Sequence, residues 1–528
     1  MAANPSIQLG TDGNWAIKED NLLAYKKDGT RFFNKEFDFT RGSLATFVDK
    51  DGLIKISVVT DTELVVNGDF ATDSDWTLGT GITISNGKAN FTGNANTFLT
   101  QSGVVSSGKT YKATFTVSNY VSGAIDINLG GSTRQGNVSA NGTYTFNISV
   151  SSGNILYFQE DFSNGFVGSI TNVSVKEIQL DVPRIDFTDD TTGHLLLEPQ
   201  STNKLTYSED FSSWTTTSAT LTSNQSSPDG FNNAYIIEDD SASSYERVDE
   251  TITTTAAPHT FSVFIKKKTS SVSSYSGIQM GTGFSYVIFD SYNGTYNQQS
   301  NTNYNSIEVK SFNSEWWRLK LTATVTTSTR VALWGAISVN GTSISTAAIG
   351  SETFFGAQLE EKSYATSYIP TSGSTVTRNA EVCNNSGSAQ DFSEEGVLYA
   401  EFATFSKSYN FPTIQLSDGT SNNGVRIFPI GLGTNNIQVQ VDSGGSISFV
   451  STSTTINPTE YNKIAVKFKQ DDFSFYINGT QKSTDNSGNA PVGLNKLDFL
   501  NNFYGKVRNV QVFKRALSDT ELQKLTTQ

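Results

Sequence analysis

The chain of 528 residues is poor in reactive side chains, with one cysteine (Cys383), two histidines (His194, His259) and, after Met1, one methionine (Met280). A single cysteine excludes an intrachain disulfide, and so few Cys and His residues leave no zinc ligand set. A Ser-His-Asp or Cys-His device would have to use one of the two histidines. Charged residues make up 17%, with 37 basic against 51 acidic and a formal net charge of −14. No basic excess exists to neutralise phosphates, so no nucleic acid partner is expected. No apolar run approaches the roughly 20 residues of a membrane-spanning helix, so no membrane partner is expected either.

What is present is aromatic and short-period. The chain has 35 Phe, 20 Tyr and 43 Gly, a composition that folds rather than staying disordered. Period-2 alternation dominates. Ile464, Val466 and Phe468 point one way while Lys463, Ala465, Lys467 and Lys469 point the other. Phe473, Phe475 and Ile477 then alternate with Ser474 and Tyr476, and Asn478-Gly479 closes the strand with residues suited to a type I′ hairpin. Tyr111, Ala113, Phe115 and Val117 repeat the pattern, as do Phe261, Val263 and Ile265, and Trp317, Leu319, Leu321, Ala323 and Val325. The predicted fold class is all-β: three tandem or nested antiparallel β-sandwich (jelly-roll) domains, a small N-terminal stem and one short C-terminal helical turn. Ser518 and Glu521 form the capping box of that helix, with Leu517 and Leu522 as its hydrophobic staple.

Internal echoes give the boundaries. Asn67-Gly68-Asp69-Phe70 leading to Trp76 rhymes with Ser208-Glu209-Asp210-Phe211 leading to Trp214. Gly168 to Val175 and Gly505 to Val512 share the pattern G-x-[IV]-x-N-V-x-V. The segment 203–214, Trp334-Gly335-Ala336, Gly356 to Glu361 and Ser363 to Thr371 together resemble a concanavalin-A-like module common in tailed-phage virion proteins. The run from Asn67 to Phe91 looks like a carbohydrate-binding jelly roll of marine phage proteins. Glu395 to Glu401, Asn462 to Gly479 and Gly505 to Leu522 are similar to laminin-G-like domains. In such proteins a segment like Phe39–Ile54 is followed closely by one like Val182–Asn203. Here about 120 residues intervene. The expected domains are therefore a stem of residues 1–60 continued by 181–203, an inserted jelly roll over 61–180, a concanavalin-A-like sandwich over 204–378 and a laminin-G-like sandwich over 379–528. Residues 364–378 read as an extended linker, and Cys383, beside Asn384-Asn385, as an unpaired thiol in a linker.

The glucanases among concanavalin-like proteins make catalysis a question. Retaining glycosidases need two carboxylates about 5–5.5 Å apart, which one strand can offer at i and i+2. No run of the E-x-D-x-x-E or E-x-D-x-E kind occurs. Glu246, Asp249, Glu250, Glu360, Glu361 and Glu401 read as solvated acids, and His194 and His259 as turn or edge residues. The chain is thus expected not to be an enzyme, and to need no cofactor. The jelly-roll resemblance implies one exception, a structural calcium on Asn67, Asp69 and Asn172, weakened because Asn172 stands where related modules carry Asp. Sugar rings stack on aromatic faces. Trp316 falls outward in the register of Trp317 and Leu319 and is the first candidate platform. Trp76 is the second, with a core-lid role as its rival.

The resemblance implies a non-enzymatic bacteriophage virion surface protein, a tail fibre or receptor-binding appendage contacting host surface glycans. The alternatives are a capsid decoration or head-fibre protein, a glycan-degrading depolymerase, and a bacterial cell-surface lectin. Residues 1–60, with Trp15, Phe32, Phe33, Phe37 and Phe39, are expected to dock to other virion proteins. A homo-oligomer is expected, a trimer being one such arrangement. Met1–Gln8 lacks the features of a secretory signal, so synthesis in the host bacterial cytoplasm and a place on the virion surface are expected.

Overall fold

The computed structural model describes residues 4–13, 15–18, 21–23, 37–56, 62–132, 134–281, 286–299, 304–405, 412–429, 436–454, 456–500 and 503–527. These residues are all-β apart from three single 3₁₀ turns and one helix, Asp519–Thr527. They form two compact units, residues 56–180 and residues 1–55 with 181–528. No helix among them is long and apolar enough to cross a membrane.

The unit of residues 56–180 is a sandwich of two five-stranded antiparallel sheets. One runs in the order Gln135–Val138, Ile125–Leu129, Ile155–Glu160, Phe98–Ser102, Thr77–Leu78. The other runs Gly142–Ser149, Thr110–Gly123, Phe166–Ile178, Lys88–Thr92, Ile82–Ser85. Alternation selects the inward residues: Leu99, Ile125, Ile127, Leu156 and Phe158 from the first sheet meet Ala113, Phe115, Val117 and Ile170 from the second. The entering chain closes against the last strand at Gly68, where a Cβ would lie 2.0 Å from the Val173 carbonyl oxygen, so glycine is required.

The larger unit holds two further sandwiches. The middle one has two six-stranded sheets over residues 215–360. The last one pairs an eight-stranded with a seven-stranded sheet, and part of each comes from the N-terminal third. Ile7–Leu9 and His194–Leu197 pair with Gly505–Phe513, and Arg184–Asp186 pairs with His194–Leu197. Asp38–Thr40 pairs with Val382–Ser386, placing Phe39 opposite Cys383. The expected stem is therefore not a body of its own. Strands of three or four residues are unstable alone and are held here as members of larger sheets. Phe37 and Phe39, expected at a docking surface, are 1% and 4% exposed in the core of the last sandwich. Phe32 and Phe33 lie outside the described residues.

Residues 364–378 are no linker either. Tyr368 and Ile369 are buried, and Asn203 donates to the Ile369 carbonyl at 2.9 Å. Arg378 ends this strap in a fully buried ionic cluster. Arg184 binds both oxygens of Glu381, at 2.8 and 2.6 Å, and reaches Glu198 at 2.9 Å. Arg41 meets Glu381 at 2.9 Å and Arg378 meets Glu198 at 2.8 Å. Buried charges persist only when paired and hydrogen-bonded; here they tie four separated segments together. The pairing holds the Glu198 carboxyl down at about 2, against the desolvation that would raise it.

The helix forms as its caps dictate. The Glu521 carboxylate accepts the Ser518 N–H at 2.9 Å, and Leu522 packs with Leu517, Val397 and Tyr476.

Candidate functional site

Neither tryptophan platform is open. Trp316 does point away from the Leu319–Leu321 core, as its register requires. That outer face, however, carries a second apolar layer of Ile54, Phe264, Phe355 and Tyr368, and Trp316 is 2% exposed within it. Ile54 comes from the hairpin Thr46–Val48/Ile54–Ile56 and Tyr368 from the strap, both distant in sequence. Trp76 is buried as a core lid, 5.1 Å from the Phe70 ring, its indole donating to the Asn67 carbonyl at 3.0 Å. Trp214 repeats the device on Phe211, with its indole on the Tyr207 carbonyl at 2.8 Å.

The residues that the jelly-roll likeness offers to calcium are otherwise engaged. The Asn67 amide nitrogen donates to the Thr72 and Ser74 carbonyls at 2.8 and 2.9 Å, and its side-chain oxygen takes the Thr72 N–H. Asp69 accepts from Ala71 N, while Asn172 is exposed with φ of 53°. An amide N–H₂ between two carbonyls replaces the oxygens that calcium needs six to eight of. This donor set does not fit the ion.

Several acids and both histidines sit deeper than expected. Glu360 is buried, accepting from Ser201 Oγ at 2.5 Å, Gln358 Nε2 at 2.6 Å and Thr366 N at 2.9 Å. Glu246 accepts the Asp240 N–H, and Asp249 pairs with Arg247 at 2.8 Å. His194 and His259 are both fully buried, and burial pushes the His194 imidazole below its ordinary value. Cys383 lies in the core of the last sandwich, where burial pushes its thiol far up. These departures share a cause: segments far apart in sequence cover sheet faces that alternation alone marks as outward.

An uncovered aromatic face does exist, on the first sheet of the 56–180 unit. Its inward positions are Leu99, Ile125, Ile127, Leu156 and Phe158, so Phe98, Thr100, Asp126, Asn128, Tyr157 and Gln159 project outward. Register sets them in two rows. Phe98, Gln159 and Asp126 stand side by side across three strands, and Thr77, Thr100, Tyr157 and Asn128 across four. The Phe98 and Tyr157 rings meet edge to face at 6.0 Å, and Phe98 is 37% exposed.

Polar groups flank these rings in fixed positions. Gln159 is buried and donates to Asn96 Oδ1 at 2.9 Å, while Asn128 is buried and donates to the Ser132 carbonyl at 2.7 Å. Asp126 takes the Asn137 N–H at 2.6 Å and Arg134 Nη1 at 3.2 Å. The Arg134 guanidinium lies 4.4 Å above the ring of Phe162, which is 54% exposed. At the rim, the N–H groups of Ser163 and Asn164 hold the Asp161 carboxyl below the usual range. Beneath the face, Glu160 points inward, accepting from Phe166 N at 2.7 Å and Thr97 Oγ1 at 2.8 Å. Burial nevertheless pushes its carboxyl up.

Ring faces beside pre-oriented amides and a carboxylate suit a ligand with apolar C–H faces and many hydroxyls. Phe98, Tyr157 and Gln159 lie outside the tryptophan positions that mark the candidate platforms in the sequence. The signal was present in the alternation F-L-T-Q at 98–101 and L-Y-F-Q at 156–159, where aromatics and amides occupy both phases.

The family model described as concanavalin A-like lectin/glucanases superfamily matches residues 400–523. No curated protein matches the chain. Among solved structures, the chain is similar to the Ruminococcus gnavus IT-sialidase CBM40 bound to α2,3-sialyllactose, at 16% identity and TM-score 0.23, over 27% of this chain and 93% of that one. It is also similar to domain 4 of the Geobacillus stearothermophilus GH43 arabinanase AbnA with arabinotriose, at 13% identity and TM-score 0.23, over 31% of this chain and 84% of that one. A third is the CBM22-1–CBM22-2 tandem of Paenibacillus barcinonensis Xyn10C, at 9% identity and TM-score 0.21, over 57% of this chain and 98% of that one. The chain is an all-β, multi-sandwich protein whose residues 400–523 match the concanavalin A-like lectin/glucanase family model.

Proposed function

We propose that the chain is a non-enzymatic glycan-binding appendage of a bacteriophage virion, of tail-fibre type, which presents the sandwich of residues 56–180 to host surface glycans. The observation that carries the glycan reading is the outer sheet face, where Phe98 and Tyr157 stand among Gln159, Asp126 and Asn128. Aromatic faces bind sugar rings through their C–H surfaces, and fixed amides set which hydroxyls are accepted. The non-enzymatic part is supported by the engagement of Glu246, Asp249 and Glu360 in structural contacts. The virion setting rests on the segments that resemble tailed-phage proteins.

The test is a glycan array probed with the whole chain and with Tyr157→Ala. The wild type should bind a defined set of glycans and the variant should lose that set. Incubation with the bound glycan should release no new reducing ends. Antibody labelling of phage particles in the electron microscope should place the chain at the tail; labelling of the head would move it to the decoration proteins.

A further inference from the structure

The unit of residues 1–55 and 181–528 contains a cleft of about 720 Å³ between the outer face of the middle sandwich, the 46–54 hairpin, the strap and the end of the last sandwich. That volume lies inside the roughly 300–1,000 Å³ range of small-ligand sites. Its lining is both aromatic and charged. Tyr364 stacks on Phe405 with rings 5.5 Å apart and 13° from parallel, and the Arg508 guanidinium lies 3.5 Å over the face of Tyr461.

The lining holds five acids and five cations, unevenly paired, with Arg508 on Asp190 at 2.7 Å. Among the described residues, Glu198 is taken by Arg184 and Arg378, and Glu308 by Lys310 at 3.0 Å and Lys320 at 3.3 Å. Asp189 faces Lys310 at 3.8 Å, and Asp186 accepts the N–H groups of Val48 and Thr188 at 2.8 and 2.9 Å. Glu460 is exposed and takes the Asn457 amide. Arg318 and Lys506, by contrast, have no carboxylate within ion-pair distance among these residues. Arg318 is anchored from behind by Ser262 Oγ at 3.1 Å, the Thr366 carbonyl at 2.8 Å and the Phe264 ring at 5.2 Å.

Two buried polar atoms in this lining lack partners, Arg318 Nε and the Tyr461 hydroxyl. Such groups are costly when left unpaired and call for an explanation. Lys320 stands two residues from Arg318 on the same strand face. Burial, together with Arg318 nearby, depresses its ammonium to about 8. Arg318 and Lys320 thus stand together on one wall of the cleft, where an anion would meet both.

We infer that this cleft is a second binding site, for a saccharide bearing a carboxylate or phosphate group. The anionic group would meet Arg318 and Lys506, the sugar ring would lie along Tyr364 and Phe405, and a ring hydroxyl would pair with Tyr461. The site shares no residue with the Phe98–Tyr157 face, so either one can fail without the other.

The test is calorimetric titration of the full chain with trigalacturonate, glucose 6-phosphate and maltotriose at low ionic strength. One or both anionic probes should bind, with affinity falling as salt is added, and maltotriose should bind this cleft at least about tenfold more weakly. Arg318→Met keeps the aliphatic stem over Phe264 and should cut anionic binding at least about tenfold at unchanged melting temperature, while Tyr157→Ala should leave it intact. Should Arg318→Met fail to fold, Lys506→Ala and Tyr461→Phe carry the same expectation at severalfold. Which anionic probe wins separates carboxylate from phosphate. The inference is overturned if neither anionic probe binds, if binding survives in all folded cleft variants, or if Tyr157→Ala removes it.

Discussion

The two sheets of the 56–180 sandwich bury similar residues and differ in what they show to solvent. One turns Thr114, Thr116, Thr143 and Thr145 outward, and these pair across strands as hydroxyl contacts of 3.2 and 2.9 Å. The other turns out Phe98, Tyr157 and Asp126, with the buried amides of Gln159 and Asn128 set between them. Threonine on an outer face stabilises a sheet through β-propensity and cross-strand contacts and needs no partner. An aromatic pair there leaves apolar area in water, which the fold does not require and a ligand would cover. The proposed function falls on the face whose aromatic pair adds apolar area that the fold does not need.

The comparison assumes a shared core, and breaking that core should have the largest effect. Phe115 is fully buried against Phe158 at 4.9 Å, Tyr144 and Phe146. Phe115→Ala should cost about 3–5 kcal/mol, seen as a lower calorimetric transition for this unit and loss of glycan binding. Trp316→Ala should destabilise the larger unit by a similar amount, about 3–5 kcal/mol, without changing binding at the Phe98–Tyr157 face. Its ring fills a second core.

Substitutions confined to the surface sharpen the contrast. Arg134→Ala removes the cation over Phe162 and should weaken glycan binding by about two- to fivefold, the worth of an exposed cation–π contact. It should not move the melting temperature. Thr114→Ala, on the opposite face, should change affinity by less than about twofold and stability by a few tenths of a kcal/mol.

The sheet under the aromatic face also carries a titrating group. Burial raises the Glu160 carboxyl above its unfolded value, so the folded state holds this proton more tightly. Stability from this group is full below the unfolded value and is lost as pH rises through the folded one. Melting temperatures should decline as pH rises from the ordinary carboxylate range through the raised folded value, and Glu160→Gln should flatten the decline.

Strand content, the capping box at Ser518–Glu521 and the buried lids Trp76 and Trp214 were legible because each rests on local spacing. The side of the sheet on which Trp316 falls was legible for the same reason. Whether that side meets water was not, since Ile54 and Tyr368, which cover it, come from elsewhere in the chain. Cys383 and the short strands near the N-terminus were misplaced for a related reason: strand pairing across more than 300 residues leaves no local mark. The Arg184–Glu381 cluster left only isolated arginines in weakly charged segments. The aromatic face was half legible. Its residues alternate in plain view, yet only register puts Phe98, Gln159 and Asp126 in one row.

The central claim is that this face, and not the threonine face, binds glycan. Its most direct test is a parallel titration of the strongest glycan from the array against wild type, Tyr157→Ala and Thr145→Ala. The account predicts that Tyr157→Ala loses at least about tenfold in affinity at unchanged melting temperature, while Thr145→Ala binds as wild type. Equal affinity in all three proteins, or a loss confined to Thr145→Ala, would contradict it.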